Sequence, residues 1–126
     1  MNEISFHAAA NLTAEPELRY TPSARPVAQL RLAVNSRRRT AEGEWVDAAT
    51  TFLDGTVWGE QAERAASRLQ KGDRVVVTGT LVTRTSTGQD GTERRKLEVA
   101  VDELGASLLF RDLQKRPEPW HYDADP

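Results

Sequence analysis

Apolar residues occupy every second position of "ISFHAAANL", where Ile4, Phe6, Ala8, Ala10 and Leu12 fall on one side. Alternation with period two is the mark of a strand with one buried face. It recurs over 27–36, "VAQLRLAVNS", with Ala28, Leu30, Leu32 and Val34 on one side. Gln29, Arg31 and Asn35 share the other side with Val27 and Ala33, which predicts a half-exposed strand. Residues 45–58, "WVDAATTFLDGTVW", are rich in Thr, Val and aromatics and predict a long third strand. Leu53 and Val57 are its core candidates, and Gly55 in its middle suggests a bulge or a close approach. The period changes over 60–70, where Ala62, Ala65, Ala66 and Leu69 follow the i, i+3, i+4, i+7 spacing of a helix. Glu60 and Glu63 open that segment and Lys71-Gly72 closes it, as the helix dipole and a left-handed cap favour. Alternation returns over 73–85 (Val75, Val77, Gly79, Leu81) and over 94–102 (Leu97, Val99, Val101 inward).

The connections fit this reading. "EPELRYTPSARP" holds Pro16, Pro22 and Pro26, so it is irregular with room for one short strand. "RRRTAEGE" reads as a turn with Gly43 at its tip. Asp90-Gly91 within "STGQDGTE" marks a hairpin. Five main strands with one short helix between the third and fourth is the order of an OB-fold, an all-β, five-stranded Greek-key barrel. Residues 1–110 are expected to form that domain. From Arg111 onward two prolines, acids and a lack of periodicity predict a short tail, 111–126.

Composition narrows the function. The 126 residues suit one domain and contain no cysteine, which excludes disulfides and thiolate metal sites. His7 and His121 are the only histidines. No apolar run is long enough to span a membrane, and the opening "MNEISFH" lacks the apolar core of a secretory signal, so a cytoplasmic protein is expected. The formal net charge is −2, yet Arg37, Arg38 and Arg39 stand side by side and Arg94, Arg95 and Lys96 form a second cluster. Charges separated in this way predict one basic surface on an acidic body.

Three longer stretches carry a resemblance. "NLTAEPELRYTPSARPVAQLRLAVN" (11–35), "VWGEQAERAASRLQKGDRVVVTGTL" (57–81) and "DGTERRKLEVAVDELG" (90–105) resemble, in collinear order, bacterial single-stranded DNA-binding proteins. The resemblance runs over roughly residues 4–109. It implies sequence-independent binding and protection of single-stranded DNA in replication, recombination or repair, with the DNA wrapped around a homotetramer built as a dimer of dimers. No catalysis, cofactor or metal is implied. Such binding needs cations along the phosphates and flat side chains against the bases. The implied cations are Arg37, Arg38, Arg39, Lys71, Arg84, Arg94, Arg95 and Lys96. The implied stacking residues are Phe52 and Trp58, and Trp45 is a further candidate at the hairpin base. Subunits are expected to pair through the first strand, around Ile4, Phe6, His7 and Ala8. Trp120, Tyr122, Asp123 and Asp125 loosely resemble the acidic tip through which family members recruit replication or recombination proteins. The resemblance also implies a nucleoid-associated place in the cytoplasm.

Departures from the family pattern bear on affinity. Arg38 and Ser86 stand where some members carry aromatics, Asp54 and Glu60 where cations are frequent, and Ala10 and Ala24 where glycines are common. An arginine can partly replace an aromatic by stacking its guanidinium plane. Weaker or more salt-sensitive binding than in a housekeeping member is expected. Three other functions compete with this reading. An enzyme using Asp47, Asp54 or Glu60 lacks a nucleophile triad, a metal cluster or a phosphate loop. A dimeric OB adaptor of replication restart would differ in oligomer mass. A protein-interaction module would show little salt-dependent oligonucleotide binding.

Overall fold

A computed structural model describes residues 2–110; the tail residues named above lie outside that range. Six strands and one helix follow in order: β1 (Ile4–Leu12), β2 (Glu17–Tyr20), β3 (Pro26–Arg39), β4 (Trp45–Trp58), α1 (Glu60–Arg68), β5 (Arg74–Thr87) and β6 (Glu93–Ala106). β2 is the short strand that the proline-rich connection left room for, and it lies on the outer side of β3. The other five close into a barrel in the order β1-β5-β6-β4-β3, with β3 returning to β1 at Asn11↔Ala33 and Leu12↔Leu32. All neighbours are antiparallel except β4 and β6, which run parallel at Asp54↔Glu98 to Thr56↔Ala100. This is the expected OB-fold.

Alternation dictates the core. Leu12, Leu30, Leu32, Val57, Val75, Val77 and Val99 are fully buried, and each comes from the apolar side of its strand. Val34 and Leu53 pack against this cluster from its rim. α1 closes one end of the barrel. Its alanine side, Ala62 and Ala65, is buried because small side chains let the helix approach the strands closely. Glu60 and Glu63 sit in its first turn, and Glu60 also pairs with Arg64 at 3.0 Å. Gly55 does prove to be a close approach and not a bulge. A Cβ there would lie 3.4 Å from both Leu32 and Val101, while the β3–β4 register runs unbroken past it.

Several boundaries differ from the sequence reading. The second main strand does not end at Ser36 but continues through Arg37, Arg38 and Arg39, which pair with Asp47, Val46 and Trp45. Only residues 40–44 form the turn, closed by Thr40 N–H to Glu44 O at 2.7 Å and by Gly43 at φ +88°. The arginines look like a turn because β3 has left the barrel there, so no core demands alternation. Leu97 is not inward but 49% exposed, for the same reason: the β5–β6 arm has outrun the barrel. β6 runs on past Asp102 to Ala106 because Gln61 of α1 holds its edge, donating to Asp102 O and accepting from Leu104 N–H. The helix stops at Arg68, with Leu69 already extended as its C-cap.

Ala24 is the one non-glycine among the described residues with positive φ, +66°, in the turn bonded from Ala24 N–H to Thr21 O at 2.7 Å. A side chain in this left-handed conformation costs about 1–2 kcal/mol, partly offset by the smaller entropy of the unfolded alanine chain. Ala24→Gly should therefore stabilise the fold by about 0.5–1 kcal/mol, read as a higher urea midpoint at unchanged slope. An unchanged or lower midpoint would show that the turn carries no strain.

Candidate nucleic-acid interface

The pleat sorts the outward side chains into one continuous face. On β3 it carries Val27, Gln29, Arg31, Ala33 and Asn35, directly opposite Trp58, Thr56, Asp54, Phe52 and Thr50 of β4. The face continues onto β6 through Glu98, the partner of Asp54, and onto β5 through Arg84, the partner of Lys96. β2 extends it on the far side with Glu17 and Arg19, opposite Gln29 and Val27.

A single bulge decides which arm residues join that face. Ser36 pairs with Ala49 and Arg37 with Asp47, so Ala48 has no partner in the ladder. The extra residue shifts the parity of β4 while β3 keeps its own. Odd-numbered Trp45 thereby joins even-numbered Phe52 and Trp58 on one side, together with Arg37 and Arg39. Arg38 and Val46 fall on the opposite side. The arginine run is thus divided by the pleat and is not a single cluster. Trp45 sits opposite Arg39, beside the turn, and so at the tip of the arm and not at its base.

These three aromatics differ in exposure. Phe52 is 71% exposed and Trp45 59%, values that a core side chain would not show. Trp58 is half-buried, with the Arg25 guanidinium over its ring at 4.3 Å. It also lines an open groove of about 280 Å³ with Gln29, Thr56, Arg84 and Glu98. At about 3.3 Å per residue the three rings are spaced about 20 Å apart along β4. This is a row of separated platforms, not a hydrophobic cluster.

The cations of the face are mostly paired. Arg31 lies 3.4 Å from one Asp54 oxygen, and Lys96 lies 2.5 Å from the other. Gln29 Nε2 also donates to Asp54 Oδ2, at 3.3 Å. Arg84 donates to Glu98 at 2.9 Å. On the arms, Arg37 meets Asp47 at 3.8 Å and Arg95 meets Glu93 at 3.5 Å, all four groups well exposed. Arg39 Nε donates to Gly43 O at 3.3 Å. Exposed pairs of this kind hold their partners by about 0–1 kcal/mol and are readily exchanged. Arg94 shares the side of Arg84 and Lys96, whereas Arg95 shares the side of Leu97. The expectation of one basic surface is corrected in this respect: acids are built into the basic face itself.

The β5–β6 arm is closed by Gly88 N–H to Thr92 O at 2.8 Å and by Thr92 N–H to Asp90 at 3.0 Å. That amide holds the Asp90 carboxyl below its ordinary value. Its small contribution to the turn is present above the unfolded pKa and is lost as pH falls through the lowered one. Lys71 lies elsewhere, exposed in the turn before β5, where Gly72 N–H bonds Leu12 O. It precedes Arg74 at one end of β5, about 33 Å along the strand from Arg84. Sequence reasoning passed over Arg31, Gln29 and Arg25 as binding residues. The outward parity of Gln29 and Arg31 was already visible, but Arg25 over Trp58 had no local sign.

On β1, Phe6 and Ala8 are half-buried while Ile4 (59%) and His7 are exposed. From Ile4 to Ala10 this strand pairs with β5 on one edge, and its pairing with β3 begins only at Asn11. Among the described residues the other edge of that stretch carries no strand.

An OB barrel with one outward face of spaced aromatics and exchangeable cations belongs to the class of nucleic-acid-binding modules. The Single-strand binding protein family matches residues 1–107, and the chain belongs to that family. It is 41% identical over 109 residues to the single-stranded DNA-binding protein of Paenarthrobacter aurescens, covering 86% of this chain and 64% of that protein. It is 45% identical over 101 residues to the protein of that name from Mycolicibacterium smegmatis, covering 79% and 61% respectively. The crystal structure of the small single-stranded DNA-binding protein from Streptomyces coelicolor superposes with a TM-score of 0.72 at 31% identity, covering 86% of this chain and 97% of that one. The chain thus spans about three fifths of the length of the two curated relatives. Proteins of this family are DNA-binding proteins and not enzymes. No helix among the described residues is long and apolar enough to cross a membrane.

Proposed function

We propose that this chain binds single-stranded DNA without sequence preference, laying the strand along the β3–β4 face and both arms. The observation that carries this is the alignment of Trp45, Phe52 and Trp58 on the face that also presents Arg37, Arg39, Arg84, Arg94 and Lys96. Stacking on an aromatic face is open to every base, and cations on flexible stems follow phosphates regardless of sequence.

In this reading four copies assemble as a dimer of dimers, each pair joined through the open β1 edge beside Ile4, Phe6, His7 and Ala8. An uncovered strand edge with apolar side chains is a template for pairing with another chain. DNA wrapped over such an assembly would be protected during replication, recombination or repair in the cytoplasm, at the nucleoid. Recruitment of replication or recombination proteins would fall to the tail.

The arms provide the test. Replacing Arg37 and Arg39 together with Ala should make the fall of log affinity for poly(dT) with log salt shallower by about 0.7 per arginine. Arg38→Ala, on the other side of the strand, should change the slope less. Equal effects from all three, or none, would remove this face of the arm from the DNA path.

A further inference from the structure

Two acids of the binding face, Asp54 and Glu98, sit side by side at its centre. Asp54 is only 7% exposed and stands at the centre of the face, bridging β3, β4 and β6. Its two oxygens accept from Gln29 Nε2, Arg31 and Lys96. Beside it in the ladder, Glu98 accepts from Arg84, its side chain 13% exposed. The cations are placed the other way round: Arg31, Lys96 and Arg84 keep 49%, 60% and 51% of their side-chain surface in solvent. The carboxylates therefore lie below and the cations above, at the height where a phosphodiester would pass.

We infer that Asp54 and Glu98 are affinity-determining residues: internal carboxylates that occupy Arg31, Lys96 and Arg84 in place of phosphate and so hold binding at the centre of the face weak and exchangeable. This rests on the DNA-binding reading above. Three cations with two carboxylates leave one net positive charge at the centre, where the cations alone would carry three. A carboxylate oxygen and a phosphate oxygen compete for the same N–H donors. A cation already neutralised from within adds little to the release of counterions from DNA, and that release is the source of salt-dependent affinity. The platforms Phe52 and Trp58 flank Asp54 on β4, so a strand stacked on both must cross this centre. The same acids could instead merely position the cations, and the two roles predict opposite signs.

The test is poly(dT) titration of the wild type, Asp54→Asn and Glu98→Gln at several salt concentrations. Asn and Gln keep the shape and one accepting oxygen, exchange the other for an NH2 donor, and remove the charge. Competition predicts that Asp54→Asn binds about five- to tenfold tighter at low salt, with a slope steeper by about 0.7 for each cation set free. Glu98→Gln should shift both quantities in the same direction by less, since it frees one cation. The gain should disappear when Lys96→Ala and Arg31→Ala are added, because no cation remains to be freed. Unchanged or weaker binding by both folded variants, with the wild type still binding, would overturn this inference and leave the DNA-binding reading intact. Failure of the wild type itself to bind would overturn that reading, and this inference with it.

Discussion

Phe52→Ala should weaken binding to poly(dT) by about five- to 150-fold while leaving both the salt slope and the thermal midpoint where they are. Phe52 faces outward on β4 opposite Ala33, whose small side chain leaves the ring uncovered, and 71% of its surface meets solvent. A ring so exposed contributes little to the fold, so its removal opens no cavity. Stacking one base on such a ring is worth about 1–3 kcal/mol. No ion is involved, so the number of displaced counterions, and with it the slope, stays constant. A changed slope would mean that Phe52 shapes the cation array. A fall in the midpoint would mean that it is a packing residue, hidden from solvent by another copy of the chain.

Gly79→Ala should act on the scaffold instead, lowering stability by about 2–3 kcal/mol. At this point the β5–β6 register shifts, between Thr78 and Gly79. A Cβ on Gly79 would stand 2.2 Å from the carbonyl oxygen of Ala100 and 3.1 Å from Val101 Cα. Both obstacles are backbone, so relief requires the two strands to separate. The position matters for function because the irregularity lies between the barrel half of β5, with buried Val75 and Val77, and the outer half that carries Arg84. The expected result is a thermal midpoint lower by roughly 10 °C at fixed protein concentration. A midpoint within a degree or two of wild type would show that the ladder adapts freely here.

How much of this was legible in advance follows from where the core reaches. Ala28, Leu30, Leu32, Val57, Val75, Val77 and Val99 announce themselves because a barrel interior imposes period two on every strand that lines it. α1 is as clear, since its alanines recur with the helical period and only one side of it meets the barrel. Legibility fades where the hairpins leave the barrel. Arg37 to Arg39 form strand through ladder hydrogen bonds alone, and no apolar alternation marks them. The bulge at Ala48 carries neither glycine nor proline, yet it decides that Trp45 shares a face with Phe52. Asp54 reads as an unfavourable acid among binding positions. Its partners, Arg31 and Lys96, lie 23 and 42 residues away and meet it only through the β3–β4–β6 ladder.

The central claim is that this face takes up single-stranded DNA by stacking and counterion release together. Titration of intrinsic tryptophan fluorescence with poly(dT), repeated at several salt concentrations and against a duplex control, tests it most directly. Trp45 and Trp58 both lie on the face. The account predicts strong quenching by the single strand, little by the duplex, and a log–log salt dependence with negative slope. Absence of quenching and of binding even at low salt, or equal affinity for the duplex, would contradict it.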